Sequence, residues 1–148
     1  MRILALDMAK LTGWAHSDGS SGVRDFSTFD EPADRWLSFY GWLDRMQSDH
    51  RAEVIAYEAA HMRGGAPTRS ALGYETCVRM FAAARRLRLL ACHTATLKKH
   101  ATGNGRATKD DMMAAAIRQH PTVRLLDDNH VDALWLLHWA QHQAESAA

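Results

Sequence analysis

Two patterns of hydrophobic residues divide the chain: short uninterrupted apolar runs, and stripes that recur every three or four residues. Short runs bounded by turn residues predict buried strands, and the clearest cover residues 3–6 and 54–57. Each run ends on an acid, Asp7 or Glu58. A carboxylate at the end of a central strand leaves the core while its backbone stays rigid, as a catalytic or metal-binding group requires. Taken alone, Asp7 is more simply explained as a turn former.

The first thirty residues predict an antiparallel meander. Thr12-Gly13 and residues 18–22 carry turn signals, and extended patterns follow them at 14–16 and 23–29. Three short strands joined by tight turns form such a meander. A helix comes next, because Pro32 precedes apolar side chains at helical spacing, namely Trp36, Phe39, Tyr40, Leu43 and Met46.

The strand at 54–57 follows that helix, which favours a parallel arrangement with the first strand. Asp7 and Glu58 would then leave the sheet at the same edge, where they repel each other unless a cation or a proton lies between them. The rest of the chain predicts a helix at 68–87, a strand at 89–92, a helix at 94–101, a helix from a Thr108 capping box to before Pro121, and a final apolar helix from about Asn129.

The final helix carries two further acids, Asp128 and Asp132. At about 100° per residue they lie within roughly 40° of each other on one helix face. Asp128 could be the N-cap and Asp132 an acid favoured by the helix dipole. The cap does not explain a second acid on an apolar face, so both residues are candidate ligands.

Composition indicates one globular domain spanning residues 1–148, with 47% apolar and 24% charged residues. No apolar run reaches the length of a membrane span, and the chain enters a strand directly, so we expect no signal peptide. Cys77 and Cys92 lack the spacing of a zinc or disulfide framework. We therefore expect a cytoplasmic protein without membrane association.

The net charge of +1 conceals a basic segment. Residues 76–109 carry eight Lys or Arg residues and no Asp or Glu. Such a segment is typical of a surface for a polyanion, most plausibly a nucleic-acid backbone. An arginine-rich solvated helix face is the alternative.

The four acids and the basic segment together predict a phosphodiesterase. Oxygen-only ligands select Mg²⁺ or Mn²⁺ over zinc. Two such ions about 4 Å apart can activate a water and stabilise the leaving oxygen. His138 and His142 have helical i, i+4 spacing, but no accompanying motif supports a zinc site there.

An ordered set of short motifs resembles the RuvC-type Holliday junction resolvases, particularly their compact phage or prophage branch. The set comprises residues 4–7 with 12–15, Tyr57-Glu58, Lys98 with 103–109, and 128–134. The resemblance implies a ribonuclease-H-like α/β fold, with a mixed five-stranded sheet (a three-stranded antiparallel meander plus two parallel strands) and helices on both faces. It also implies a homodimer that nicks four-way DNA junctions symmetrically, with the long helix from Thr68 forming much of the dimer interface.

By position, the resemblance makes Asp7, Glu58 and Asp132 metal ligands, with Asp128 as the fourth, although Asn129 occupies the usual fourth position. Lys98 and Lys109 match the lysines near the scissile phosphate, and His61 stands where a base-stacking wedge is typical. The predicted DNA contacts are His61, Arg63, Arg79, Arg85, Lys98, Lys99, Arg106 and Lys109. A nuclease for other branched DNA or RNA–DNA hybrids and a non-catalytic junction-binding protein are the alternatives.

Overall fold

The computed structural model describes residues 1–62 and 64–148; Arg63, a predicted DNA contact, lies outside the described residues. The described chain forms five strands and five helices. The strands are β1 (Ile3–Asp7), β2 (Leu11–His16), β3 (Ser21–Asp25), β4 (Val54–Glu58) and β5 (Arg88–Cys92). The helices are α1 (Pro32–His50), α2 (Gly65–Arg85), α3 (Thr94–Thr102), α4 (Lys109–Gln119) and α5 (Asp128–Ser146).

The strands form one mixed sheet in the order β3-β2-β1-β4-β5. β1 pairs antiparallel with β2, and β2 pairs antiparallel with β3. β4 pairs parallel with both β1 and β5. The predicted meander and the predicted parallel pairing of the two acid-ended strands are therefore confirmed.

Each face of the sheet has its own core, because alternate residues of a strand point to opposite faces. On one face, Leu4 and Leu6 pack with α1 and α2 in a core rich in aromatic side chains. On the other face, Ile3 and Ala5 pack with α3, α4 and α5. The central strands β1 and β4 are therefore buried on both sides, which explains their uninterrupted apolar runs.

The turns of the meander differ from the prediction. Thr12 and Gly13 lie inside β2, and the chain turns before them, at residues 8–10. Thr12 is fully buried, and its hydroxyl donates a 2.7 Å hydrogen bond to the Ala9 carbonyl, so the residue stabilises that turn from within the strand. The predicted turn at 18–22 is shorter, since β3 already begins at Ser21, and β3 ends at Asp25, before the predicted 29.

Side chains cap two helices at their first turns. Thr108 forms the predicted capping box with Asp111 at the start of α4. At the start of α5 the N-cap is Asp127, whose side chain accepts a 2.8 Å hydrogen bond from the His130 N–H. The capping alternative for Asp128 is therefore wrong, and that residue occupies the first helical position with its carboxylate free of the cap.

None of the helices in residues 1–62 and 64–148 combines the length and apolar character needed to cross a bilayer. Cys77 and Cys92 are both free thiols. Cys92 is buried, and burial together with the nearby Glu58 raises its thiol pKa to about 12, so the thiol stays protonated and unreactive.

Candidate active site

Asp7 and Glu58 end neighbouring strands and point to the same face of the sheet. β1 and β4 run in parallel, and the residues directly before the two acids are register partners. Because side chains alternate, Asp7 follows Ala5, and Glu58 follows Ala56, onto the face that α5 covers. The two carboxylates therefore emerge side by side, as the sequence predicts.

Gly13 allows α5 to approach these acids. It pairs with Asp7 across the antiparallel β1–β2 ladder. A Cβ atom at Gly13 would lie 1.9 Å from the Asn129 carbonyl oxygen and 2.7 Å from the His130 nitrogen, both in the first turn of α5. Only a residue without a side chain permits this contact. Because Gly13 has no side chain, the start of α5, which carries Asp128 and Asp132, can lie beside Asp7 and Glu58.

His130 fixes the same helix turn to the meander. Its Nδ1 accepts a 3.2 Å hydrogen bond from the Leu126 N–H, and its Nε2 lies 2.8 Å from the Ser21 hydroxyl. Only 2% of the residue is exposed. The ring is buried, and its contacts position the first turn of α5 against β3.

The electrostatics show that the acids converge. Burial raises the pKa of Asp7 well above its usual range, and the negative charges of Asp132, Glu58, Asp127 and Asp128 raise it further. Burial, followed by Glu58 and Asp128, raises the pKa of Asp132 to about 7. The positive charges of Lys98 and Lys109 oppose this rise in the pKa of Asp132. Such shifts are typical of functional sites where like charges meet out of water.

Two cavities flank this acidic cluster, by which we mean Asp7, Glu58, Asp128 and Asp132. The first has a volume of about 380 Å³, and Asp7, Glu58 and His61 line it. The second has a volume of about 180 Å³, and its lining includes Asp128 and Asp132 together with Lys98 and Lys109. Carboxylates and lysines predicted from separate parts of the sequence thus share one concave edge of the sheet.

Lys109 and Asp128 form a direct ion pair in the second cavity, with 3.2 Å between Lys109 Nζ and Asp128 Oδ2. The side chains are 83% and 48% exposed, so water screens their attraction and the pair contributes little to stability. Both groups are therefore available to a ligand at small energetic cost.

Thr94 is a site residue that no motif in the sequence predicts. Its hydroxyl donates a hydrogen bond to Glu58 Oε1 and contacts His61 Nε2. His61 Nε2 also lies 3.7 Å from Glu58 Oε1, and half of the His61 side chain is exposed. The available signal was position alone, since Thr94 begins α3 directly beyond the strand that neighbours β4.

The other predicted DNA contacts are dispersed. Arg79 forms an ion pair with Glu75, 3.2 Å apart, and Arg85 forms one with Asp44. The Arg85 guanidinium also lies 3.9 Å from the centre of the Phe81 ring. Neither arginine lines either cavity of the acidic cluster. Lys99 and Arg106 are exposed.

The donor set of the acidic cluster fits a hard divalent cation, because every candidate ligand atom is a carboxylate oxygen and two of the acids have raised pKa values. No three of the four carboxylates bring ligand atoms within 4.8 Å of one another. Oxygens that bind one Mg²⁺ ion at about 2.1 Å must lie closer than that. The acids are therefore spread more widely than the shell of a single ion.

Comparison with solved structures supports the fold assignment. The chain is similar to RuvC from Thermus thermophilus, with 15% identity, 97% of each chain covered and a TM-score of 0.76. It is also similar to T. thermophilus RuvC in complex with Holliday junction substrate, with 14% identity, 97% of this chain and 96% of that chain covered, and a TM-score of 0.80.

The yeast mitochondrial Holliday junction resolvase Ydc2 aligns over 91% of this chain and 75% of its own, with 12% identity and a TM-score of 0.63. No protein-family model and no curated protein sequence matches the chain. The chain thus has the ribonuclease-H-like fold of RuvC, and the resemblance inferred from the short motifs is confirmed at the level of the fold.

Proposed function

We propose that this protein is a Mg²⁺-dependent endodeoxyribonuclease that resolves four-way DNA junctions by paired symmetric nicks. The observation that carries the proposal is the convergence of Asp7, Glu58 and Asp132 from β1, β4 and α5 at one sheet edge, in a chain with the fold of RuvC. Fold alone does not define an activity, so the argument depends on the chemistry of this edge.

Asp7, Glu58, Asp128 and Asp132 are the residues that would hold two Mg²⁺ ions, for which Mn²⁺ could substitute. Bound there, the ions would supply activation of a water and stabilisation of the leaving oxygen of a phosphodiester. Asp128 is a better fourth ligand than Asn129, because Asp128 lines the cavity with Asp132, whereas Asn129 lines a different groove. The charge of Asp128 also raises the pKa of both Asp7 and Asp132.

Lys98 and Lys109 hold and orient the phosphate in this proposal. They line the cavity that contains Asp128 and Asp132, and their positive charges lower the pKa of Asp132. A phosphate that enters the cavity would replace the exposed Lys109–Asp128 contact at little cost. Lys99 and Arg106 would contact the DNA backbone further out, and His61 would stack on a base at the rim of the other cavity.

A second copy of the chain completes the proposal, because symmetric nicking of a four-way junction needs two sites. α2 carries Leu72 and Met80 on its exposed side, where they are 37% and 61% exposed. These residues are eight apart, so at about 100° per residue they lie about 80° apart around the helix axis. The pair would be part of the surface that packs against the second copy in this proposal.

The proposal is tested by incubating the protein with a mobile four-way junction, a flap and an RNA–DNA hybrid, each with Mg²⁺. We expect paired nicks on the junction alone, and Asp7→Asn should lower the nicking rate at least about 1,000-fold while junction binding persists. Asp49→Asn, a control at an exposed acid of α1, should nick at the wild-type rate.

Equal cleavage of hybrid or flap would favour the broader ribonuclease-H-like nuclease. Binding of the junction without nicking, in Mg²⁺ and in Mn²⁺, would favour a junction-binding protein. Nicking by Asp7→Asn at the wild-type rate would contradict the assignment of the acidic cluster.

A further inference from the structure

A second group of metal-ligating side chains lies at the opposite end of β2 from Gly13. It comprises His16 at the end of β2, Asp18 in the β2–β3 turn and His50 at the end of α1. One ligand atom from each residue lies within 4.8 Å of the other two. No other three His, Cys, Asp or Glu residues in the described chain meet this criterion.

The two imidazoles converge on a single carboxylate oxygen. Asp18 Oδ2 lies 3.0 Å from His16 Nδ1 and 2.9 Å from His50 Nδ1. The imidazole rings themselves are 4.6 Å apart between centroids, at an angle of 40°. Two nitrogens and one oxygen therefore point into one small volume.

Hydrogen bonding alone does not satisfy His16. Its Nδ1 also accepts a 3.2 Å hydrogen bond from the Asp18 N–H, which requires a lone pair on that nitrogen. The same nitrogen faces the acceptor Asp18 Oδ2, which would require a proton there. His16 is 2% exposed, and among residues 1–62 and 64–148 its Nε2 finds no hydrogen-bond partner. A proton on Nδ1 would suit Asp18 Oδ2 but would face the Asp18 N–H, whereas a lone pair on Nδ1 would face the lone pairs of Oδ2. A cation bound to both Nδ1 and Oδ2, in place of the long contact to the Asp18 N–H, removes this conflict.

Other contacts orient the third ligand. The Ser20 N–H donates a 2.9 Å hydrogen bond to Asp18 Oδ1, and the Ser20 hydroxyl donates a second to the same oxygen. Oδ1 is thus occupied, and Oδ2 is directed at the two imidazoles. Carboxylate ligands of metals are characteristically held by such outer hydrogen bonds. The negative end of the α1 dipole, at His50, also favours a cation here.

We propose that His16, Asp18 and His50 bind one divalent first-row transition-metal ion of the Zn²⁺ type. Two imidazoles and one carboxylate suit such an ion far better than Mg²⁺. The 47% exposed Asp18 side chain leaves the site open to water as a fourth ligand. Because its ligands come from β2, from the turn that follows and from α1, the ion joins the meander to α1 and stabilises the fold.

The site is separate from the acidic cluster. His16 pairs with Leu4 near the start of β1, whereas Gly13 pairs with Asp7 at its end. Three residues of antiparallel strand span about 10 Å. The two groups therefore share no ligand. Their donors also differ, because carboxylates alone favour Mg²⁺ whereas imidazoles favour a softer ion, so excess Mg²⁺ in the assay leaves this site to Zn²⁺.

The test is calorimetric titration of Zn²⁺ into the full-length chain in excess Mg²⁺. We expect one Zn²⁺ ion per chain, and His50→Ala and Asp18→Asn should each weaken binding at least about 10-fold. His138→Ala is the matched control, because His138 belongs to a separate histidine contact, with its Nδ1 2.8 Å from His100 Nε2. Its loss should leave Zn²⁺ affinity unchanged. Circular dichroism establishes that each variant is folded.

Thermal unfolding is the second readout. Zn²⁺ at about 100 times its Kd should raise the Tm of the wild-type chain by about 5 to 10 °C and leave His50→Ala unchanged. Zn²⁺ binding that survives in both His50→Ala and Asp18→Asn, that is lost in His138→Ala, or that is absent from the wild-type chain would overturn the proposal. None of these results would alter junction nicking, so the test is independent of the proposed nuclease activity.

Discussion

The two faces of the sheet are built from the same strands but differ in what they contain. The face under α1 and α2 is filled by large aromatic side chains, with Phe39 in contact with the rings of Phe26, Trp42 and Tyr74. The face under α5 carries small residues along the same strands, Ala5 on β1 and Ala56 on β4 among them. We call these the aromatic face and the acidic face.

From this difference we expect stability to depend mainly on the aromatic face and the proposed nuclease chemistry to depend on the acidic face. Edge-to-face aromatic pairs supply packing energy without polar groups. Small residues instead let a helix backbone approach the sheet closely, which is how the acids of α5 reach Asp7. Mutations on the aromatic face should therefore alter stability alone, whereas those on the acidic face should alter the proposed activity whether or not they also change stability.

The largest expected effect on stability is that of Phe39→Ala on the aromatic face. Phe39 is fully buried, so the cavity left behind should lower the free energy of unfolding by about 3 to 5 kcal/mol. Denaturant unfolding measures this loss. At denaturant concentrations well below the unfolding transition, the nicking rate per folded molecule should stay within about twofold of wild type. A loss of rate larger than the unfolded fraction explains would show that the two faces are coupled.

Two glycine substitutions sharpen the comparison. Gly13→Ala forces α5 away from the sheet, and a displacement of about 1 Å at a reacting group can lower a rate about 100-fold. Gly73→Ala is matched in size, because its Cβ would lie 2.1 Å from the Trp36 ring between α1 and α2. Each should reduce thermal stability, but only Gly13→Ala should impair nicking by folded protein.

Gly41→Ala provides the control for both substitutions. Apart from its chain neighbours and the adjacent backbone of α1, no atom of the described residues lies within 4 Å of the added Cβ. This substitution should raise stability by about 0.5 to 1 kcal/mol. Equal losses of nicking in Gly13→Ala and Gly73→Ala would contradict the division between the faces.

The raised pKa of Asp132 predicts a smaller, pH-dependent effect. Its pKa is about 7 in the folded chain against an ordinary value of 3.8, so the folded state holds a proton that the unfolded state releases. Without metal, stability should therefore fall as pH rises from about 4 to 7. Asp132→Asn removes the carboxyl group and with it this loss of stability at high pH.

We expect Asp132→Asn to be more stable than wild type by about 1 to 3 kcal/mol at pH 8 in EDTA, and equal to it near pH 4. Thermal unfolding across this range measures the difference. Mg²⁺ should narrow the difference at pH 8, because only the wild-type chain keeps the full ligand set. If Asp132→Asn were more stable than wild type by the same amount at every pH, repulsion among the acids would not be the cause of its added stability.

The smallest expected effect is that of Lys109→Ala, at an exposed ion pair. Junction binding should weaken a few-fold, and the slope of log binding constant against log salt should fall by about 1. Binding measured at several salt concentrations gives that slope. Arg118 is an exposed cation at the other end of α4, and Arg118→Ala should leave the slope unchanged. If Lys109→Ala also left the slope unchanged, Lys109 would not belong to the DNA interface.

Local patterns were enough to predict most of the fold. The uninterrupted run before Asp7 and the Thr108–Asp111 spacing each encode their structure within a few residues. Gly13 shows where such patterns fail, because Thr-Gly usually indicates a turn. Here a glycine in mid-strand is required by the backbone of Asn129, more than one hundred residues later, and no local pattern carries that information.

The candidate site was predictable in its acids but less so in its surroundings. The ends of two predicted strands identify Asp7 and Glu58 as candidate site residues, and helix periodicity identifies Asp132. A charge count cannot distinguish Lys109, which lies beside Asp128, from Arg85, which is held by Asp44 across the α1–α2 contact. The assembly of His16, Asp18 and His50 likewise depends on how α1 packs on the meander, and the spacing of these residues gives no signal.

The placement of α5 over β1 and β2 has a consequence for biosynthesis. His130 contacts Ser21 across 109 residues of sequence, and the Gly13–Asn129 contact spans a similar interval. A nascent chain emerges from the ribosome with its N-terminal end first. The meander and the strand-borne acids therefore emerge before the helix that completes the acidic cluster, so the candidate catalytic centre can assemble only after residues 128–132 have been synthesised.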